Sequence, residues 1–584
     1  MAKQYKIHPA IGIARLGAST EFYLGPDTPG VPADPGGSFR DSTPAKKLKT
    51  QAAAFWVFEH DSGGPAEPVL VEPGAVLGNK TVARVEWTVH LANKKAFWFQ
   101  FDGLVGSKEI TTPPGYGYGP TPGSWRNPTP AAPADRRTQL VIDFGPRTVP
   151  APGGAAAFTA ATAGGYPVAG PGPLQNAAGP VAIDSLGTLT GRADGGLVVA
   201  PAPGASGSIG GVGIGHYANN PGWFDNTSDG PVRAELVFTD GSRQPVDAPA
   251  WVVVAPPDFA PVVTNVVTLY DALVDLAVRR FGARPDVFSG PAPAAVDDFS
   301  SGAPPFNPGY VPSYKDDVYP VLSRPGMYGW VQKFVASRHR WDFDALSKTP
   351  FVPPAGLPHP KPAAIFNRLR RPEDWHTDDD SVMPVLFGDD NEDARLTLTP
   401  TQYHTLRQWA AGTFDRTGWV WPVPPRAPNP APRAADLDRA ALEACAGGAF
   451  YPGIELGWIV REPALFVTPF EFRFKHPPAG GDPLGLDPGA VPDALYPGDA
   501  TKRMACPWQA DFYECREHWW PAQRPDQVVT DAATLKRDEW ARNVATLGGA
   551  PVEERMGMVV HWDQLGLVVP GTGGVPVETE RTLP

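Results

Sequence analysis

Short runs of alternating apolar and polar residues dominate the first 260 positions. Residues 81–91 read Thr-Val-Ala-Arg-Val-Glu-Trp-Thr-Val-His-Leu, a period of two that predicts a half-buried strand. Residues 96–101, 141–144, 234–238 and 251–255 repeat that signal. Gly/Pro-rich stretches at 113–133 and 150–172 separate them and predict surface loops. The pattern changes after Pro261. Val266, Leu269, Tyr270, Leu273, Leu276 and Ala277 recur at helical spacing, and Gly282 stops the helix. A second helix is predicted over 316–337, interrupted near Pro325-Gly326. A third starts at Thr399-Pro400-Thr401-Gln402, a capping box with proline in the first turn, and runs to Ala411 before Gly412. Asp436 predicts the cap of a fourth helix, ending near Cys445 at Gly447-Gly448. A short fifth is predicted over 532–544, and no internal repeat is present.

These elements give an α+β fold. A β-rich region with one terminal helix spans 1–282, a Pro-rich connection spans 283–313, and a mixed helical and irregular region spans 314–584. The 72 prolines and 63 glycines of this 584-residue chain fit many turns and argue against long helices. The net charge of −12 without a basic tract excludes a nucleic-acid-binding role. No stretch of about 18 apolar residues predicts a membrane span. The first residues, Met-Ala-Lys-Gln-Tyr-Lys-Ile-His-Pro, hold no apolar signal region, so a cytoplasmic protein is expected, with export by another route left open. Three cysteines, Cys445, Cys506 and Cys515, cannot all pair, and none forms a Cys-x-x-Cys zinc motif.

Chemistry concentrates in 497–525, where two Cys, three Trp, several acids and a His share one loop's length. Asp511 precedes Cys515 by four residues, and Trp519 and Trp520 follow it at four and five. In a helical or tightly coiled segment these groups can meet. A thiol beside an indole edge, with a carboxylate to take a proton, is the arrangement an oxidative thioether requires. The alternative reading of the same composition is an aromatic core loop with passive thiols. His518 is a candidate proton relay. The acidic runs 378–380 and 389–393 lack EF-hand spacing and read as solvated loops. His90, His216, His404, His518 and His561 show no metal-ligand spacing. The glycine run 207–215 lacks the strand-turn-helix context of a dinucleotide site.

The segment Pro-Trp-Gln-Ala-Asp-Phe-Tyr-Glu-Cys (507–515), followed by Trp-Trp-Pro-Ala-Gln-Arg-Pro (519–525), resembles the cofactor segment of the LodA-like quinoproteins, the lysine ε-oxidase and glycine oxidase relatives. Residues 7–17, 87–96, 217–220, 228–231, 256–261 and 450–455 are similar to further blocks of that family, in the same order. The resemblance implies a cysteine tryptophylquinone (CTQ) formed from Cys515 and Trp520, with Trp519 as the alternate ring. It implies Asp511 as the carboxylate for maturation and proton abstraction, and Tyr451 and Tyr217 as substrate-side residues. The activity it implies is oxidative deamination of a primary amine or amino acid by O2, giving an aldehyde or oxo acid, ammonia and H2O2. It also implies a separate flavoprotein maturation helper and a homo-oligomer. Two other readings remain at this stage: a biosynthetic quinoprotein acting on a larger or carrier-bound amine, and a non-catalytic β-rich binding protein of the same fold.

Overall fold

The computed structural model describes residues 3–584 except 62–66, 101–124, 292–305, 337, 355–358, 375–376, 378, 387–394, 448–453, 457–458, 461, 476–483, 487–493, 516–519, 521 and 546–553. Ten strands carry the argument. They are β1 (Lys3–His8), β2 (Ile11–Arg15), β3 (Thr50–Asp61), β4 (Lys80–Val89), β5 (Arg147–Ala151), β6 (Ala155–Thr159), β7 (Ser185–Gly191), β8 (Leu197–Pro201), β9 (Ser228–Phe238) and β10 (Ala250–Ala255). Nine of them run side by side in the order β5-β4-β9-β10-β2-β3-β8-β7-β6, within a larger mixed sheet, and β1 pairs with β3. The longer helices are α1 (Pro133–Leu140), α2 (Leu269–Arg280), α3 (Tyr319–Met327), α4 (Pro400–Ala410), α5 (Ala434–Glu443), α6 (Trp508–Glu514) and α7 (Glu554–His561).

The centre of the sheet is the parallel pair β2–β10, in register from Ile11 with Trp251 to Arg15 with Ala255. Every residue of both strands is buried. Parallel strands covered on both faces read as continuous apolar runs, and Ala-Trp-Val-Val-Val-Ala is one. Side chains alternate across the sheet, so β10 feeds two cores. Val252 and Val254 join the main core. Trp251, Val253 and Ala255 join Leu269, Leu273 and Leu276 of α2 and Leu442 of α5 in a second core. Gly12 is required where β2 meets the main core: a Cβ there would lie 2.3 Å from the Phe55 ring.

The capping boxes appear where local chemistry places them. Thr399 and Gln402 cap α4 reciprocally, with Pro400 in the first turn. Thr268 and Asp271 do the same for α2, which therefore begins at Leu269 rather than Val266. Strands cover the expected stretches at 234–238 and 251–255, and the one expected over 81–91 ends at Val89. Residues 141–144 hold only the two-residue strand Ile142–Asp143.

Several expectations are corrected. Residues 96–99 form a turn and an isolated bridge, because the backbone folds around buried Lys94 and Lys95 instead of extending. The 150–172 stretch is not all loop, since it holds the end of β5 and all of β6, the first and last strands of that order. α1 was not anticipated in the Gly/Pro-rich stretch before it. The 316–337 helix survives as α3, runs through Pro325, and then breaks into short 3-10 turns. α5 begins at Ala434, with Asp436 inside its first turn. The 532–544 helix is absent; Gln527–Asp531 and Lys536–Glu539 form a hairpin there. The acidic run 389–393 and Asp378 lie outside the described residues. No described helix is long and apolar enough to cross a membrane.

Leu273→Ala should destabilise the fold by about 2–5 kcal/mol, because it opens a cavity in the second core. Thermal unfolding followed by near-UV circular dichroism measures this; an unchanged transition would deny that α2 seals this face of the sheet.

Candidate active site

The chemistry sits on α6, a seven-residue helix. Pro507 occupies its N-cap position and offers no side-chain cap. The missing acceptor comes from far away in sequence: Asp225 Oδ2 accepts the Trp508 N–H at 3.1 Å and also accepts from Lys95 Nζ at 2.5 Å. All three groups are buried. A carboxylate at a helix N-terminus is favoured by the exposed N–H groups there. The approach to α6 is fixed by Asp229. Its carboxylate accepts from Ala500 N at 3.1 Å, Thr501 N at 2.8 Å, Thr501 Oγ1 at 2.6 Å and Trp251 Nε1 at 3.0 Å. Burial pushes Asp229 up to about 6 in spite of these donors.

The three cysteines occupy different chemical settings, and all are free thiols. Cys506 is buried and donates to the Trp223 carbonyl at 3.1 Å, with its pKa pushed up to about 12 by desolvation. Cys445 is buried and donates to the Ala441 carbonyl at 3.3 Å. Cys515, at the C-terminal end of α6, is half-buried and donates to Asp511 Oδ1 at 2.8 Å. The four-residue spacing on a helix produces this contact. Burial, and then the facing Asp511, hold the Cys515 thiol well above its usual range. Asp511 is itself pushed up to about 7 by burial, against the lowering effects of the Cys515 hydrogen bond and of Lys95. A carboxyl group of that pKa exchanges protons readily at neutral pH.

Two buried indoles flank α6. Trp520 packs its ring 5.1 Å from Phe512. Trp562, just after α7, sets its ring edge-on at 5.2 Å from Trp508. α7 packs along α6, and Arg555 pairs with Glu514 between them. The return of the chain to α6 is clamped by Arg524, whose backbone N–H donates to the Trp520 carbonyl at 3.3 Å. Its guanidinium donates to the carbonyls of Phe512 and of Tyr513. It also pairs with Asp526 at 3.0 Å. A cation on the last-turn carbonyls of a helix satisfies acceptors that have no partner within the helix.

Tyr217 is half-buried and stacks on His216 at 4.4 Å. Its neighbours tie it to the segment that leads into α6. Cys506 N donates to the Ala218 carbonyl at 3.0 Å, and Asn220 Nδ2 donates to the Cys506 carbonyl at 3.1 Å. Tyr451, His518 and Trp519 lie outside the described residues. Sequence spacing found the Asp511–Cys515 contact. It missed Asp225, Lys95, Arg524 and Trp562, whose roles arise from partners distant in the chain.

Residues 8–254 match the family described as L-lysine epsilon oxidase N-terminal, and residues 384–538 match the L-lysine epsilon oxidase C-terminal domain. L-lysine 6-oxidase of Marinomonas mediterranea is 29% identical over 551 residues, covering 87% of this chain and 70% of that protein. The solved ε-lysine oxidase from Marinomonas mediterranea shares the fold, with a TM-score of 0.77 at 23% identity over 99% of this chain and 95% of that one. The structure of the Schiff base intermediate of that organism's L-Lys ε-oxidase with L-Lys is similar at a TM-score of 0.76, 24% identity and the same coverages. With both family regions matched in order and the fold shared along nearly its whole length, the chain belongs to the L-lysine ε-oxidase (LodA) family.

Proposed function

We propose that this protein is a quinoprotein oxidase of the primary amine of an amino acid or related small molecule. The observation that carries the reading is the Cys515–Asp511 contact at 2.8 Å, in a buried setting where Asp511 sits at about 7. The relative's activity on L-lysine supports the substrate class.

The residues fit a cysteine tryptophylquinone. Cys515 has an unblocked thiol with a proton acceptor facing it, whereas Cys506 and Cys445 are buried against backbone carbonyls. Cys515 and Trp520 would form the group. Trp562 is the second candidate ring, favoured by the packing of α7 on α6 and its contact with Trp508. When mature, the quinone supplies an electrophilic carbonyl and a two-electron sink for an amine. Asp511 takes the thiol proton during maturation, then serves as the base toward the substrate carbon that bears nitrogen. Maturation removes the Cys515 S–H and with it a hydrogen bond that lowers the Asp511 pKa. Trp508, Phe512 and the indoles keep bulk water from Asp511, which preserves its raised pKa. Tyr217 stands beside the segment on the substrate side, and Tyr451 is proposed for the same side. O2 as electron acceptor, a separate flavoprotein that completes the oxidation, and a homo-oligomeric assembly complete the proposal.

Peptide mapping of protein co-expressed with such a flavoprotein tests the cofactor directly. The tryptic peptide 504–516 should be joined to 517–536, with a mass gain of roughly 28 Da for a thioether and two carbonyl oxygens. Joining to 556–581 instead would assign the ring to Trp562. Unmodified peptides with Cys515 open to alkylation would overturn the quinoprotein reading.

The base role has a pH signature. Activity needs deprotonated Asp511, so kcat/KM should step upward at a pH above the value of about 7 that Asp511 has with the thiol bond in place, on top of the slope from the amine's own deprotonation. Asp511→Asn should remove the step and lower kcat/KM by roughly a hundredfold or more, per mole of cofactor measured by mass. A step that persists in the variant would assign it to another group.

A further inference from the structure

Half-exposed groups that the proposed chemistry leaves unused stand beside Cys515. Glu514 directly precedes it and pairs with Arg555 of α7, the two side chains being 35% and 29% exposed. His216 is half-buried on the loop whose Ala218 carbonyl accepts from Cys506 N. One small core draws these elements together. Ile214, Cys506, Ala510 of α6 and Val559 of α7 share it, and Met556, the residue after Arg555, packs against it. The charges of Glu514 and Arg555 both act on the His216 ring, and that of Glu514 also acts on Asp511 and Cys515.

His216 is built as a fixed neutral donor. Its Nδ1 accepts from Ala218 N and from Asn219 N, each at 3.0 Å. A ring nitrogen that accepts these N–H groups carries no proton, so the neutral ring holds its proton on Nε2. Protonating Nδ1 would break both bonds, and desolvation, followed by the Arg555 and Arg126 charges, also disfavours it. Among the described residues nothing accepts from Nε2, which keeps an accessible surface. Asn220 clamps the backbone beneath the ring. Its Oδ1 accepts from His216 N at 2.9 Å, and its Nδ2 donates to the His216 carbonyl at 2.7 Å. Tyr217 stacks on the ring, with centroids 4.4 Å and planes 24° apart. Nε2 thus presents an oriented N–H, on a ring whose basic nitrogen is already used.

We propose that His216 and Arg555 form the part of the amine site that binds the substrate's carboxylate. The proposal rests on the amine-oxidase reading above and narrows the substrate to an amino acid whose carboxylate is unblocked. The His216 Nε2–H and the Arg555 guanidinium both donate, and a carboxylate, which only accepts, is the group that matches two such donors. An anion gains from the Arg555 charge, which a plain protonated amine does not. Glu514 holds the guanidinium beside Cys515, so the carboxylate end is recognised next to the reacting group. An amino acid carried as an ester or amide of its own carboxylate offers no anion and forfeits both contacts.

Titration calorimetry of the full-length protein under nitrogen tests this with two matched pairs, L-lysine with cadaverine and glycine with methylamine. We expect the amino acid of at least one pair to bind about tenfold or more tightly than its decarboxylated partner. Arg555→Gln should erase most of that margin, and Arg555→Lys should restore part of it. His216→Asn keeps an oxygen for the Ala218 and Asn219 N–H groups, removes the Nε2 donor, and should cut the margin about fivefold. In air, the same variants should raise KM for the amino acid more than they lower kcat. No margin in either pair, a margin unchanged in folded Arg555→Gln and His216→Asn, or equal weakening of both members of a pair would each overturn the proposal. Peptide mass reads the quinone separately, so failure of the quinoprotein reading is told apart from failure of this one.

Discussion

Asp225 and Asp229 are charged side chains on sheet segments, held at 1% and 0% exposure, and α6 depends on the hydrogen bonds they receive. Removing a carboxylate from water costs several kcal/mol, which only close, well-directed donors offset. Lys95, Thr227 and the first N–H of α6 meet Asp225. Thr501, Ala500 and the Trp251 indole meet Asp229. Each pairing serves both partners. The carboxylates need these donors, and the start of α6 has no side-chain cap of its own. Satisfying the sheet's buried charges thus positions the helix that carries Asp511 and Cys515.

Comparison of Asp229 with Asp511 separates an anchoring carboxylate from the one proposed as a base. Both are fully desolvated. Asp229 receives four hydrogen bonds and is pushed only to about 6. Among the described residues, Asp511 receives its one close side-chain bond from a thiol, a weak donor, and rises to about 7. Burial alone does not mark a general base. What favours the role proposed for Asp511 is burial with few donors among the described residues to hold the negative charge, next to the Cys515 thiol.

Local chemistry was legible in the sequence wherever local chemistry decides the outcome. The capping box at Thr399, the apolar run of β10 and the four-residue Asp511–Cys515 spacing all follow from neighbours in the chain. Residues 96–99 look like a strand by pattern, but Lys94 and Lys95 turn inward to distant carboxylates, and the backbone follows them. Residues 532–544 carry helix-forming residues, yet β pairing across 527–539 wins. Trp562 lies 47 positions beyond Cys515 by number and reaches α6 only because α7 folds back along it. No local spacing rule could place that ring.

The anchoring of α6 also sets an order of events. Its N-terminal acceptor, Asp225, comes nearly three hundred residues earlier, and the partner of that acceptor, Lys95, earlier still. During synthesis the sheet segments emerge first and can pair before α6 leaves the ribosome. The helix then docks onto carboxylates already in position. Cys515 and Asp511 thereby meet the Trp562 side of the site only once the scaffold exists, so the cross-link proposed above would be a property of the finished chain and not of the nascent one.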